Sequence, residues 1–289
     1  MKLDHIIIGM GRCGTTSLSD YINQHPHIAN TVIKEVHFFS VDDHYDRGET
    51  FLQDHFNLKT GSFTTTDTYL LMSDKGPERV YKHNPDIKIT VLLRDPTSRT
   101  YSNYHYSLNN GYQKSSIGLI ESLKKEKEFL AGDIILKNNL CHFEGSLYHK
   151  LLCNWLKYFD QDQIQILRTE DLQKTPQKVI DQLSSFLEIP RFQITPLEAK
   201  NKAKKVKSKA LQQFLLNRNH WLRNLIRRPM RIKIIKSFVI KTRINDRVNS
   251  MNKKYGAGYP PMTEQEKEFC STFFMDDLKK LKDDFNITL

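Results

Sequence analysis

The sequence predicts an α/β fold: a parallel sheet flanked by helices, with a basic helical C-terminal elaboration. Three observations carry that reading. Short β-rich apolar runs alternate with stretches of helical spacing, the pattern of a parallel sheet covered on both faces. The first run ends in glycine and opens a helix through a Gly-rich turn. After Pro196 the composition shifts and the chain becomes strongly basic.

Residues 4–9 form a short apolar run ending in Gly9, as a buried parallel strand does. Leu18, Tyr21 and Ile22 give 15–24 helical spacing, and Pro26 stops it. A weaker strand is expected at 28–32, a helix at 49–56 and a strand at 62–66. Residues 87–93, Ile-Lys-Ile-Thr-Val-Leu-Leu, are the best strand in the chain. Pro96 suits the first turn of the helix that follows, expected to run to about Leu108. Further helices are expected at 117–130, 147–159 and 179–187, with a strand at 164–167. A Gly/Pro loop at 256–261 precedes a final amphipathic helix at 264–285. With 289 residues and no repeat or low-complexity linker, we expect one domain over 1–289, carrying a basic helical insert at about 198–254 broken by Pro229.

The mean hydropathy is −0.56, and no run of about 18 apolar residues is present, so no membrane span is expected. Met1 to His5 lead directly into Ile6-Ile7-Ile8, which leaves no room for a signal peptide. Cys13, Cys141, Cys153 and Cys270 show no C-x-x-C pairing and read as reduced thiols. A cytoplasmic protein is the expectation, with peripheral attachment at a membrane surface as the variant that the charge suggests. The net charge is +11 from 44 Lys and Arg against 33 acids. Residues 200–254 hold 18 of those bases and one acid, Asp246; elsewhere 26 bases face 32 acids. One segment supplies the whole positive excess, which points to an anionic partner.

Two motifs carry chemistry. Gly9-Met10-Gly11-Arg12-Cys13-Gly14-Thr15-Thr16 lies between a strand and a helix. It is nearly a P-loop, in which backbone N–H groups and a helix N-terminus cradle phosphate. Thr15 stands where that motif requires lysine, and the cation sits inside the loop as Arg12. A Mg-nucleotide triphosphatase is therefore disfavoured against a loop that binds one 5′-phosphate group. In the second motif, Arg94 ends the best strand, where ligands collect in open α/β sheets, and Ser102 follows about two helical turns later. Arg99 and Ser102 are spaced to share a helix face. Arg94 and Ser102 together can clamp a second phosphate; a salt bridge from Arg94 to a nearby carboxylate is the alternative.

Together these motifs, Gly-x-x-Arg-x-Gly-Thr-Thr-Ser-Leu and Leu-Leu-Arg-Asp-Pro-x-x-Arg-x-x-Ser-x-Tyr, resemble the donor-binding elements of sulfotransferases that use 3′-phosphoadenosine 5′-phosphosulfate (PAPS). Lys34-Glu35-Val36-His37-Phe38-Phe39 is similar to the corresponding stretch of the heparan-sulfate-type and bacterial branch. Tyr148, Leu152, Trp155 and Leu156, then Glu170-Asp171-Leu172, 186–190 and Tyr259-Pro260-Pro261-Met262, extend the likeness over roughly 4–190 and 253–289.

The resemblance implies roles. Gly11, Arg12, Cys13, Gly14, Thr15 and Thr16 would hold the 5′-phosphosulfate, with Arg12 at the bridging oxygen. Arg94 and Ser102 would hold the 3′-phosphate, joined by Lys253 and Lys254 from a basic loop. Glu35 would be the general base. Sulfuryl transfer needs a nucleophile relieved of its proton and a leaving phosphate whose charge is neutralised, and a carboxylate opposite a cationic phosphate loop supplies both. No metal is expected, since no H-E-x-x-H or Cys/His cluster is present. Two departures stand out. Arg12 replaces the family's usual lysine, and Thr65-Thr66-Asp67-Thr68-Tyr69 stands where the glycosaminoglycan-modifying branch has a second lysine. His37, between Val36 and Phe38, reads as a packed, hydrogen-bonded histidine rather than a second base.

In the basic segment, 221–228 and 232–244 mix apolar and basic residues. That suits an interfacial helix for anionic lipids as well as a core helix with a solvated basic face. The expectation is a PAPS-dependent sulfotransferase that releases adenosine 3′,5′-bisphosphate. Its acceptor is a hydroxyl or amine on a glycan, lipid or small molecule, anionic or membrane-associated where the basic segment takes part. The rivals are a non-enzymatic membrane or nucleic-acid binder and a nucleotide kinase. No aromatic RNA-binding platform is present, so no nucleic-acid partner is expected.

Overall fold

The first apolar run forms strand β1 (His5–Gly9) and lies at the centre of a five-stranded, all-parallel sheet. Its companions are β2 (Ile28–Asn30), β3 (Ser62–Asp67), β4 (Lys88–Leu93) and β5 (Ile164–Arg168), in the order β2-β3-β1-β4-β5. This computed structural model describes residues 2–56, 61–197, 204–206, 253–255 and 259–289, with the backbone alone at 204–206 and 253–255. The chain divides into two compact units, one of residues 1–103, 119–198 and 262–289, the other of 104–118 and 199–261.

The sheet belongs to the first unit and is buried on both faces. Ile6, Ile7 and Ile8 are wholly buried; Ile6 and Ile8 join one apolar cluster and Ile7 the other. The two-residue period of a strand produces that division. The Ile7 face is covered by α1 (Thr15–Ile22), α9 (Thr169–Lys174) and α10 (Pro176–Leu187), through Leu18, Leu172 and Leu183 among others. The opposite face meets Phe38, Phe39, Val80, Leu152 and Trp155, the last two from α8 (Tyr148–Trp155).

Short helices fill the connections: α2 (Asp42–Tyr45), α3 (Glu49–Gln53), α4 (Gly76–His83), α6 (Leu119–Glu126) and α7 (Ile134–Leu140). The helix expected at 49–56 ends at Gln53, because Phe56 turns to bridge Thr31 antiparallel. The expected 117–130 helix stops at Glu126, and α7 restarts with Asp133 as its cap, accepting from Ile135 N at 2.8 Å. The last helix, α11 (Glu264–Phe285), opens with a Thr263–Glu266 capping box. Its Asp277 accepts from His149 N and Lys150 N at the start of α8, at 3.1 and 3.2 Å. The helix after β4, α5, spans Pro96–Asn110.

In the second unit, Tyr104 Oη donates to Ile117 O at 2.8 Å, and the His105 ring stacks on Tyr259. Strands β6 (Lys204–Val206) and β7 (Lys253–Tyr255) pair antiparallel there. These two strands occupy positions where a basic helical insert was expected, since the ends of that segment pair by backbone. The rest of the insert, with 221–228, 232–244 and Pro229, lies outside the described residues, as do 256–258 of the Gly/Pro loop.

One buried polar group ties the central strands. His5 places Nδ1 2.8 Å from Thr64 Oγ1 on β3 and Nε2 2.8 Å from Thr90 Oγ1 on β4. Burial, with the Lys88 charge adding, pulls its pKa down from 6.5 to about 3. Unfolding frees the ring to take a proton below 6.5, so His5 makes stability fall as the pH drops from 6.5 toward 3. His5→Gln should flatten the slope of unfolding free energy against pH by about 1.4 kcal/mol per unit between about pH 6 and 4. Urea melts across that range measure it, and an unchanged slope would mean that His5 is protonated in the fold.

Candidate active site

The site lies at the carboxyl ends of β1, β3 and β4, and all the side chains described next belong to the first unit. The turn from β1 into α1 is left-handed twice. Arg12 has φ 78° and Gly14, the N-cap of α1, has φ 87°. Glycine takes such a conformation freely, whereas at Arg12 it is strained. Three consecutive carbonyls of the turn are gripped by side chains. Gly11 O accepts from Arg99 Nε at 3.1 Å and Arg12 O from Arg94 Nη1 at 3.2 Å. Cys13 O shares the Thr169 hydroxyl with Leu93 O. No described side chain caps α1; Ser17 N–H turns to Gly14 O at 2.9 Å, and the N–H groups of Thr15 and Thr16, which have no acceptor within the helix, are suited to an anion.

Of the residues expected at the 5′-phosphosulfate, Gly11, Arg12, Cys13, Gly14, Thr15 and Thr16 all lie on this turn. The Cys13 thiol is buried near Tyr148 Oη, at 3.8 Å, and burial pushes its pKa up. The Cys13 N–H is taken up by Met10 O. Arg12 turns toward the residues expected at the 3′-phosphate, donating from Nε to Ser102 Oγ at 3.0 Å. Arg12, Arg94 and Ser102 therefore lie in one hydrogen-bonded cluster. Among the described residues no carboxylate lies within 4.0 Å of Arg94, so the salt-bridge alternative finds no partner there. Lys253 and Lys254 lie on β7 in the other unit.

Glu35 faces a dense set of donors. Lys34 Nζ bonds Glu35 Oε1 and also the Thr15 hydroxyl at 3.2 Å. Thr68 Oγ1 donates to Glu35 Oε2 at 2.8 Å, and His37 Nε2 lies 3.3 Å from the same oxygen. On its other side His37 Nδ1 lies 3.0 Å from Asp67 Oδ1. Asp67, itself buried, also accepts from Ser40 Oγ at 2.7 Å and from Tyr69 N at 3.0 Å, and the Tyr69 ring stacks on His37 at 4.4 Å. Burial works to lower the His37 pKa. Asp67, by charge and hydrogen bond, and then Glu35 outweigh it, so the pKa stands above 6.5. His37 is thus hydrogen-bonded as expected, but between two carboxylates.

Sequence reasoning did not assign roles to Lys34, Thr68, Arg99 or Thr169. Lys34 and Thr68 had a signal, since each falls in a stretch already singled out. Thr169 had none beyond preceding Glu170-Asp171. Where a second lysine was missing near Thr65, the structure puts the Thr68 hydroxyl on Glu35 and brings Lys34 to its other oxygen. Among the described residues no group of three or more His, Cys, Asp or Glu is disposed to hold a metal ion.

The profile of the Sulfotransferase domain matches residues 2–255. Over 194 residues the chain is 28% identical to heparan sulfate glucosamine 3-O-sulfotransferase 5 of Mus musculus, covering 64% of this chain and 53% of that protein. Over 204 residues it is 26% identical to bifunctional heparan sulfate N-deacetylase/N-sulfotransferase 1 of Caenorhabditis briggsae, covering 65% and 23%. The chain thus spans about half the length of the first relative and less of the second. A crystal structure of a sulfotransferase from Alicyclobacillus acidocaldarius shares the fold, with a TM-score of 0.67 at 20% identity over 100% of this chain and 98% of that one. With the domain profile running across most of its length, this protein belongs to the sulfotransferase family, the enzymes that take their sulfuryl group from PAPS.

Proposed function

We propose that this chain moves the sulfuryl group of PAPS onto a hydroxyl or amine of its acceptor and releases adenosine 3′,5′-bisphosphate. The observation that carries the reading is Lys34, whose ammonium joins the Thr15 hydroxyl of the phosphate turn to the Glu35 carboxylate. It spans the gap that a sulfuryl group has to cross. Glu35 takes the proton from the acceptor as the new bond to sulfur forms. The bond between sulfur and the bridging oxygen breaks, and its electron pair stays on the phosphate. Arg12 and the α1 N-terminus neutralise that charge. Arg94 and Ser102, on the same cluster, suit the 3′-phosphate.

The two relatives carry in their names a 3-O- and an N-sulfation of heparan sulfate, which supports either atom as acceptor here. The 18 Lys and Arg of 200–254 favour an acceptor that is anionic or held at a membrane surface. The test is a labelled-PAPS screen over glycans, lipids and small phenols or alcohols, run beside melting curves with adenosine 3′,5′-bisphosphate. A native-state ligand has to raise the melting temperature. No shift and no transfer would leave a non-enzymatic anion binder as the better reading.

Glu35→Gln should keep donor affinity within a few-fold and lower kcat by about 10²–10⁴, the usual worth of a general base. Near-normal kcat would remove Glu35 from the chemistry. Arg12→Ala should lower kcat by about 10²–10³, with a smaller loss of product affinity, because its contact strengthens as charge builds on the leaving oxygen. Arg12→Lys should recover much of the loss, and a pure affinity defect in saturating kinetics would make Arg12 a binding residue only. In its protonated form His37, between Glu35 and Asp67, holds Glu35 in place. Activity should therefore fall as the pH rises through the His37 pKa, which lies above 6.5. In His37→Gln that basic limb should vanish from the kcat profile, whereas a limb with the same midpoint would assign it to another group.

A further inference from the structure

Beneath the phosphate turn lies an arginine that the reaction scheme does not use. Arg99 is wholly buried, and among the described residues no carboxylate lies within 4.0 Å of it. Its partners are neutral: Gly11 O at 3.1 Å, His142 O at 2.8 Å and Ser146 Oγ at 3.2 Å. A buried charge without a counter-ion is costly, so something must compensate it at a distance.

Glu126 does so. It is almost fully buried and accepts from Phe143 N at 2.8 Å and Glu144 N at 2.9 Å. Burial pushes its carboxyl up to about 7 despite those backbone donors. The C=O of His142 and the N–H of Phe143 belong to one peptide group. Its oxygen receives Arg99 and its N–H reaches Glu126. Above about pH 7 one peptide dipole thus links a buried cation to a buried anion, positive end toward the carboxylate and negative end toward the guanidinium. The guanidinium also needs Gly145: a Cβ there would stand 2.9 Å from Arg99 Nη1 and 2.7 Å from Met10 Cε.

We propose that Arg99 and Glu126 are positioning residues for the phosphate turn: a cation and an anion joined through the 142–143 peptide, which hold the Gly11 carbonyl inward and so face the turn's N–H groups toward the donor. The identity of the ligand rests on the proposed function; the positioning of the turn does not. A residue that only supported the fold would leave the turn no more affected than the rest of the unit.

Hydrogen exchange on the full chain reads the turn without any ligand. In Arg99→Lys and in Glu126→Gln, exchange should rise in peptides covering 9–17 while peptides from β4, β5 and α10 keep their wild-type rates. Affinity for adenosine 3′,5′-bisphosphate, titrated calorimetrically, should weaken about ten-fold in Arg99→Lys and about three-fold in Glu126→Gln. The double variant should be no weaker than Arg99→Lys, since both act on one carbonyl through one peptide. Unchanged exchange over 9–17, a rise spread evenly over the sheet, or additive affinity losses would each overturn the proposal. If Arg99→Lys fails to fold, Glu126→Gln and Gly145→Ala, which displaces the guanidinium without removing a charge, decide it by the same exchange criterion. A wild-type chain that does not bind the nucleotide would sink the functional reading alone, with the exchange result still deciding this one.

Discussion

The turn at Arg12 is the constraint on which the rest of the first unit depends. A non-glycine residue in the left-handed region costs roughly 1–2 kcal/mol, and α1 begins without a side-chain cap. The first cost is offset by a grip on three consecutive carbonyls. Arg99, Arg94 and Thr169 reach Gly11, Arg12 and Cys13 from the ends of β4 and β5 or from α5. Central β1 delivers the turn beside those two strands, because β4 pairs directly with β1 and β5 with β4. The all-parallel order brings every carboxyl end to one edge, where ligands of open α/β sheets bind.

The same geometry separates the two kinds of work. The β4 side supplies cations and a hydroxyl: Arg94, Ser102 and, behind the turn, Arg99. The β3 side supplies the carboxylates and the imidazole. Asp67 ends β3 and Thr68 follows it, and between them they hold His37 and Glu35. Lys34 joins Glu35 to the Thr15 hydroxyl of the turn. A carboxylate held by an ammonium, a hydroxyl and an imidazole is oriented before any acceptor arrives, and such preorganisation is where most electrostatic catalysis originates.

Much of the sheet was legible because its strands are buried on both faces. Ile6-Ile7-Ile8 and Val91-Leu92-Leu93 therefore read as continuous apolar runs. Elements α4, α7 and α9 were not legible. They are six to eight residues long, too short to show a period, and tertiary contacts hold them. The N-terminus of α8 depends on Asp277, 128 positions away from His149, a contact that no local pattern announces. In the site, the Gly-rich turn, Arg94, Ser102 and Glu35 stood out through motif and position. The bond from Arg12 to Ser102 did not, because it joins residues 90 apart. Nor did the place of Arg99, whose i,i+3 spacing to Ser102 suggested a shared face. In the structure Arg99 runs behind the turn, while Ser102 meets Arg12.

The central claim is that this turn and the Arg94–Ser102 cluster read a nucleotide carrying phosphates at both ends. Isothermal titration of the full chain with adenosine 3′,5′-bisphosphate and, separately, adenosine 5′-phosphate tests it most directly. Charged hydrogen bonds to the second phosphate are worth roughly 1.5–3 kcal/mol, so the bisphosphate should bind about ten-fold or more tightly than the monophosphate. Equal affinities, or no binding of either, would contradict the account.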